Sequence, residues 1–333
     1  MFYPTKSLTL MPKVHPSNQS TNPKPALDTL AQLRKVDGIP TYSANQTCLQ
    51  KRSRRKSITD AITYKLVDVD SPLNKSYWQT YHCTRTILQD GNQIKSRYCN
   101  QRWCLVCNSI RTGKMINGYL PSIESMVNPY FVTLTVKNVK SYDLQSTIEA
   151  MQKDFVRTKD KLGKRGVVIK GIRKVEVTYN EKRHDYHPHF HCIIDGCKES
   201  FALVADWIKR HPEQANYKGQ DIRFADRDTT TELFKYFTKL LTKDGQFLAP
   251  QMDVAFRAMK GKRVFQPFGG IKKESEDVET NETTVIDWKP EAIEIWQRED
   301  AGKFSDWYNA NGESLSEGEL SEDTMNLIDK ISA

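Results

Sequence analysis

Two rhythms of hydrophobic and polar positions run through the middle of the chain. Tyr130-Phe-Val-Thr-Leu-Thr-Val136 is rich in β-branched and aromatic residues and predicts a strand. Leu144, Ile148, Met151, Phe155 and Leu162 recur at helical spacing and predict a helix over 142–162. Val167–Tyr179 predicts a second strand, Asn180–Asp185 a polar turn, and Pro188–Ile194 the returning strand. A helix over Phe201–Arg210, a strand at Asp221–Phe224 and a helix over Thr231–Lys243 complete the series. The order β-α-β-β-α-β predicts an α+β fold, a ferredoxin-like or RRM-like antiparallel sheet with helices on one face and the other face open for a site.

Outside this core the rhythm weakens. Residues 1–75 show no sustained amphipathic period before Asp60 and contain the run Lys51-Arg-Ser-Arg-Arg-Lys56, which predicts a flexible basic arm. Residues 76–120 form a cysteine-rich module, residues 121–271 the α+β domain, and residues 272–333 an acidic tail expected to be loosely ordered. Charge follows the same division. The chain has 50 Lys plus Arg and 41 Asp plus Glu, but residues 272–333 alone carry a net −11, leaving +20 on residues 1–271. A basic body with an acidic tail points to a polyanionic partner. The sequence contains no apolar run near the ~20 residues of a membrane span and no secretory signal pattern. Seven cysteines, three of them within nine residues, fit a reducing compartment with a metal cluster, so a cytoplasmic protein is expected.

Four of the seven histidines lie at 184, 187, 189 and 191. On a strand His187, His189 and His191 share one face, and two imidazoles ~7 Å apart along it can chelate one divalent ion. Folding at the 180–185 turn sets Glu176 level with His189, so Glu176 is the expected oxygen donor favouring Mg2+ or Mn2+, with His187 as its alternative. On the helix predicted at 231–243, Leu233, Phe237, Leu240 and Leu241 form an apolar stripe. Glu232, Tyr236, Lys239 and Lys243 fall in one narrow polar arc. That arc suits transesterification of a phosphodiester: Tyr236 as nucleophile, Lys239 offsetting developing charge, Glu232 as a general base. Cys99-x4-Cys104-x2-Cys107, with Cys83 upstream, offers four thiolates for a tetrahedral structural Zn2+. A redox CxxC would use Cys104 and Cys107 but leave Cys83 and Cys99 unexplained.

At these residues the chain resembles the plasmid rolling-circle replication initiators (Rep) of the HUH endonuclease superfamily, in the single-tyrosine group with a glutamate four positions before the tyrosine. Phe131-Val-Thr-Leu-Thr-Val-Lys-Asn138 resembles the first family motif, Tyr186-His-Pro-His-Phe-His-Cys-Ile-Ile194 the metal motif, and Glu232-Leu-Phe-Lys-Tyr-Phe-Thr-Lys239 the catalytic motif. Phe256–Arg263 and the C-x4-C-x2-C block are similar to further family segments, so the likeness covers about residues 80–271. The resemblance implies the HUH fold and a site-specific nickase and strand transferase. Tyr236 would cut the plus-strand origin through a covalent 5′-phosphotyrosine link, and Glu232 would let water or a hydroxyl end the cycle. It implies single-stranded or cruciform plasmid origin DNA as substrate, a bacterial host's helicase and polymerase as partners, and no membrane. The sequence contains no nucleotide-cradling Gly-rich loop, so strand separation is expected to come from elsewhere. Two other readings stay open: a related HUH transposase or relaxase, and a zinc-containing nucleic-acid-binding module without catalysis, with Phe131 and Phe190 as stacking residues.

Overall fold

The computed structural model describes residues 48–90, 93–234, 241–242, 244–273, 293–301, 304–317 and 319–333. In chain order the main elements begin with α1 (Cys48–Val67), α2 (Asn74–Tyr81), β1 (Thr86–Asp90), β2 (Gln93–Ser96) and α3 (Leu105–Glu124). Next come β3 (Pro129–Thr135), α4 (Leu144–Gly163), β4 (Gly171–Asn180), β5 (Asp185–Asp195), α5 (Cys197–Arg210), β6 (Asp221–Phe224) and α6 (Arg227–Phe234). The last are α7 (Ala249–Met259), β7 (Phe265–Phe268), β8 (Glu294–Ala301), β9 (Phe304–Tyr308) and α8 (Glu322–Ser332). They form two compact units. No helix among the described residues is long and apolar enough to cross a membrane.

The first unit holds residues 122–233 and 261–272. Its sheet runs β6-β3-β5-β4-β7, and every neighbouring pair is antiparallel. Taken as β-α-β-β-α-β, its strands lie in the spatial order fourth, first, third, second, with β7 added at the edge. Strand parity divides the sheet into two faces. On one, Val175 and Phe190 are buried, and Phe190 packs on Phe155 of α4 and Trp207 of α5, with centroids 5.7 and 5.9 Å apart. Leu144, Ile148, Met151, Phe155 and Leu162 are all buried, the stripe expected from their spacing. The other face carries Lys174, Glu176, His189 and His191.

The second unit holds residues 48–121, 234–260 and those described from 273 onward. Residues 48–75 of the expected arm and the described part of the expected tail form ordered elements here, while residues 1–47 of the expected arm lie outside the described residues. The basic run lies inside α1, where Arg52, Arg54, Arg55 and Lys56 are buried. Lys56, Arg54 and the neighbouring Ser53 find polar partners that the folded chain supplies. Lys56 Nζ donates to the carbonyl of Tyr81 (2.9 Å) and pairs with Asp60, Arg54 Nε donates to Thr324 Oγ1 (2.6 Å), and Ser53 Oγ donates to the carbonyl of Ser305 (2.6 Å). A helix covered on all sides needs no apolar stripe, so the absence of amphipathic period here marked a central helix rather than an arm. The acidic segment contributes β8 and β9 to the sheet β2-β1-β8-β9. Ile87, Ile94, Trp296, Trp307 and Leu315 form its core, and Trp307 Nε1 donates to the carbonyl of Thr84 at 2.6 Å. Residues 274–292, also part of the expected tail, lie outside the described residues.

Candidate metal centre and catalytic face

The β4–β5 hairpin sets Glu176 directly opposite His189 and Lys174 opposite His191. Carboxylate and imidazole thus meet as a cross-strand pair, while His191 reaches the same point from two residues along. The Nε2 atoms of His189 and His191 are 3.1 Å apart, and His191 Nε2 lies 3.6 Å from Glu176 Oε2. One donor atom from each of the three lies within 4.8 Å of the others. Neighbouring ligands of an octahedral ion bonded at ~2.1 Å stand ~3.0 Å apart, so the two ring nitrogens already have the spacing of adjacent ligands. His189 Nδ1 faces the carbonyl of His187 at 3.1 Å; donating there leaves its Nε2 as the lone-pair side. His191 Nδ1 lies 3.3 Å from Thr133 Oγ1, and its ring stacks on Phe131 with centroids 5.1 Å apart.

Electrostatics favour ligation. Burial, and then the neighbouring His189, hold His191 down at about 3, and burial first lowers His189 as well. Both rings are therefore neutral at ordinary pH and able to donate lone pairs. Burial by itself would raise the Glu176 carboxyl, but Lys174 and then the two imidazoles outweigh it and bring the group to about 2. Lys174 is a close neighbour of this group to which the motif reading gave no role. Its Nζ lies 2.8 Å from Glu176 Oε2 and donates to the backbone carbonyl of Glu232 at 3.2 Å, tying the metal strand to α6. The signal was available, since Lys174 shares the strand face of Glu176.

His187 sits one step aside. Its ring stacks on His189 with centroids 5.0 Å apart, and its Nδ1 faces Asn138 Oδ1 at 2.9 Å. Asn138 in turn donates from Nδ2 to Asp185 Oδ1 at 2.6 Å. This chain holds the ring and so positions the carbonyl that orients His189. Helix α6 begins where Asp226 and Thr229 cap reciprocally: Thr229 N donates to Asp226 Oδ1, and Asp226 N to Thr229 Oγ1, each at 2.8 Å. That start brings Glu232 near enough for its charge to act on His189. Tyr236 and Lys239 lie outside the described residues.

In the second unit Cys83, Cys99, Cys104 and Cys107 converge although they come from three separate segments. Sγ of Cys107 is 3.5 Å from that of Cys83 and 3.6 Å from that of Cys99, and Cys104 lies 3.7 Å from Cys83. Four sulfurs bonded to one ion at ~2.3 Å would lie ~3.8 Å apart, so the set fits a tetrahedral thiolate site. Backbone N–H groups of Cys99 and Cys107 point at Sγ of Cys83 and Cys104, at 3.4 and 3.5 Å, which favours charged sulfur. Hydrogen bonding from Cys104 lowers Cys83, Cys99 and Cys107, while burial raises Cys104.

Known proteins resemble this chain in sequence. The chain is 38% identical over 120 residues to "Protein rep" of Staphylococcus aureus, covering 34% of this chain and 52% of that protein. It is 32% identical over 138 residues to "Protein rep" of Streptococcus pneumoniae serotype 2, covering 36% of this chain and 42% of that protein. The chain thus spans about half the length of the curated relatives it matches. No solved structure matches. The family described as Replication protein matches residues 91–311, which include the cysteine cluster from Cys99 onward, the Glu176–His189–His191 group and Glu232. With that match across most of its length, the chain belongs to the Replication protein family.

Proposed function

We propose that the protein is a plasmid replication initiator that nicks the plus strand of its origin for rolling-circle replication and later rejoins the ends, using an HUH-type catalytic face. The observation that carries this reading is the buried Glu176–His189–His191 donor set with Glu232 tied beside it through Lys174. A divalent ion held by these three residues, Mg2+ or Mn2+, would polarise the phosphoryl oxygens of the scissile phosphate.

The chain's own groups carry the rest. The phenol oxygen of Tyr236 forms a bond to phosphorus as the bond from phosphorus to the 3′ oxygen breaks. The phenol gives up its proton, and the departing oxygen takes one to become a free 3′-hydroxyl. The product is a 5′-phosphotyrosine whose bond energy is kept for rejoining. A phenol near pKa 10 is a weak nucleophile, so Lys239, three residues on, offsets its developing charge. Glu232 accepts the proton of the water or hydroxyl that later displaces Tyr236. The Cys83–Cys99–Cys104–Cys107 set suits a structural Zn2+. Host helicase and polymerase would act on the strand once it is opened.

The test uses labelled single-stranded oligonucleotides tiling the replicon, incubated with protein and Mg2+ or Mn2+ and run on a denaturing gel. A covalent protein–DNA band that requires the added metal and disappears in Tyr236→Phe is the expected result. A strand that binds tightly yet is never cut in either metal would leave a binding module and overturn the proposal.

A further inference from the structure

The helical face of the first unit's sheet, opposite the metal donors, carries a second chemically distinct feature. An open cavity of about 530 Å³ lies between α4, β4 and the segment leading into β7. Its lining includes Lys153, Arg157, Arg173, Lys262 and Arg263, two amide side chains, and no carboxylate. The carboxylates nearby stand outside the lining: Glu149 pairs with Lys262 at 2.6 Å and Asp154 with Arg157 at 3.1 Å.

Arg173 sets this apart from a solvated basic surface. It is 2% exposed, and its guanidinium carbon lies 5.2 Å from the ring centre of Phe155 and 4.8 Å from that of Phe190. Nη2 donates to Gln266 Oε1 at 2.5 Å, but Nε and Nη1 find no acceptor among the described residues. Burying a guanidinium costs several kcal/mol unless an anion or a full set of hydrogen bonds offsets it, and the unused Nε and Nη1 donors, on different edges of the group, leave that cost only partly met. A simple ion-pair role would have placed a carboxylate here. The cavity has room for a nucleotide unit as well as its phosphate.

We propose that this cavity binds a backbone phosphate of a nucleic-acid strand, with Arg173 as the buried charge at its base and Lys153 and Arg157 as its rim. The site gives the protein a hold on the strand separate from the face that bears Glu176, His189 and His191. It does not depend on cleavage, so it can fail or stand independently of the nicking reaction.

The test measures binding of a fluorescent single-stranded oligonucleotide by anisotropy, without added Mg2+ or Mn2+, between about 50 and about 200 mM salt. Lys153→Glu/Arg157→Glu alters exposed rim positions, and Arg173→Met keeps the buried volume while removing the charge and its donors. Thermal unfolding checks that each is folded, and the rim variant carries the test if Arg173→Met is not. Each lost phosphate contact lowers the slope of log affinity against log salt by ~0.7, so the rim variant should lose a slope of roughly 1 and at least about tenfold in affinity at the lower salt. A second arm follows the Arg173 side-chain Nε–Hε signal by NMR with the oligonucleotide and with inorganic phosphate. A shift with the oligonucleotide supports the proposal. A shift with inorganic phosphate but not with the oligonucleotide makes this a free-anion site and overturns the strand reading. An unchanged salt slope with an unmoved Arg173 signal overturns the site altogether.

Discussion

Removing metal from the four-cysteine site should destabilise the second unit by an amount that follows from its geometry. The sulfur separations of 3.5 to 3.7 Å are within a few tenths of an ångström of the ~3.8 Å expected around zinc, so little rearrangement opposes binding. Structural zinc binds with about 10–16 kcal/mol, equivalent to dissociation constants from about 50 nM down to about 2 pM. At about 1 µM free zinc, linkage then stabilises the folded state by about 2–8 kcal/mol. For a unit of this size each kcal/mol moves Tm by about 2–4 °C, so stripping zinc should lower Tm by at least about 4 °C. Elemental analysis of the purified protein should find one zinc per chain, and a thermal melt with a chelator, then with zinc restored, should show the fall and its recovery. Cys104 is fully buried among the other three thiols, so Cys104→Ser should start at the lower Tm and ignore the chelator. Protein that carries no zinc and melts identically with and without chelator would refute this argument. A chelator shift of the same size in Cys104→Ser would also refute it, by locating the effect elsewhere.

Two further outcomes follow from the first unit. Phe190→Ala removes a fully buried ring that contacts Phe155, Trp207 and Arg173, and should cost about 3–5 kcal/mol in a denaturant titration; a loss below about 1 kcal/mol would mean the two helices do not close on this ring. In protein without added divalent metal, His187 at about 4 and His191 at about 3 both lie below the ordinary 6.5, so the unfolded chain takes up their protons first as pH falls. Stability from these groups is complete above about pH 6.5 and is lost towards about pH 3. Glu176, depressed from 4.5 to about 2, acts in the same direction at lower pH. Denaturant midpoints should therefore fall on acidification more steeply in the wild type than in His191→Ala, and parallel profiles would contradict the neutral-imidazole assignment.

Local pattern alone determined a good deal of this protein. The spacing of Leu144, Ile148, Met151, Phe155 and Leu162 marked the buried face of α4, because a helix covered on one side must repeat its apolar residues every three or four positions. The polar turn at 180–185 and the parity of its flanking strands were enough to set Glu176 beside His189, because antiparallel pairing across a short turn leaves little freedom of register. Tertiary structure decided what depended on distant partners. Nothing near Lys51–Lys56 announces burial; Ser305 and Thr324, some 250 or more positions away, supply the hydrogen bonds that make it tolerable. The acidic segment likewise became β8 and β9 because β1 offered an edge to pair with, which composition does not encode. Arg173 and Lys174 are adjacent in sequence and both cationic, yet the sheet turns one towards the aromatic helical face and the other towards Glu176. The strand's two-residue period is local, but which face would receive helices and which a carboxylate–histidine site was settled only when the whole sheet closed.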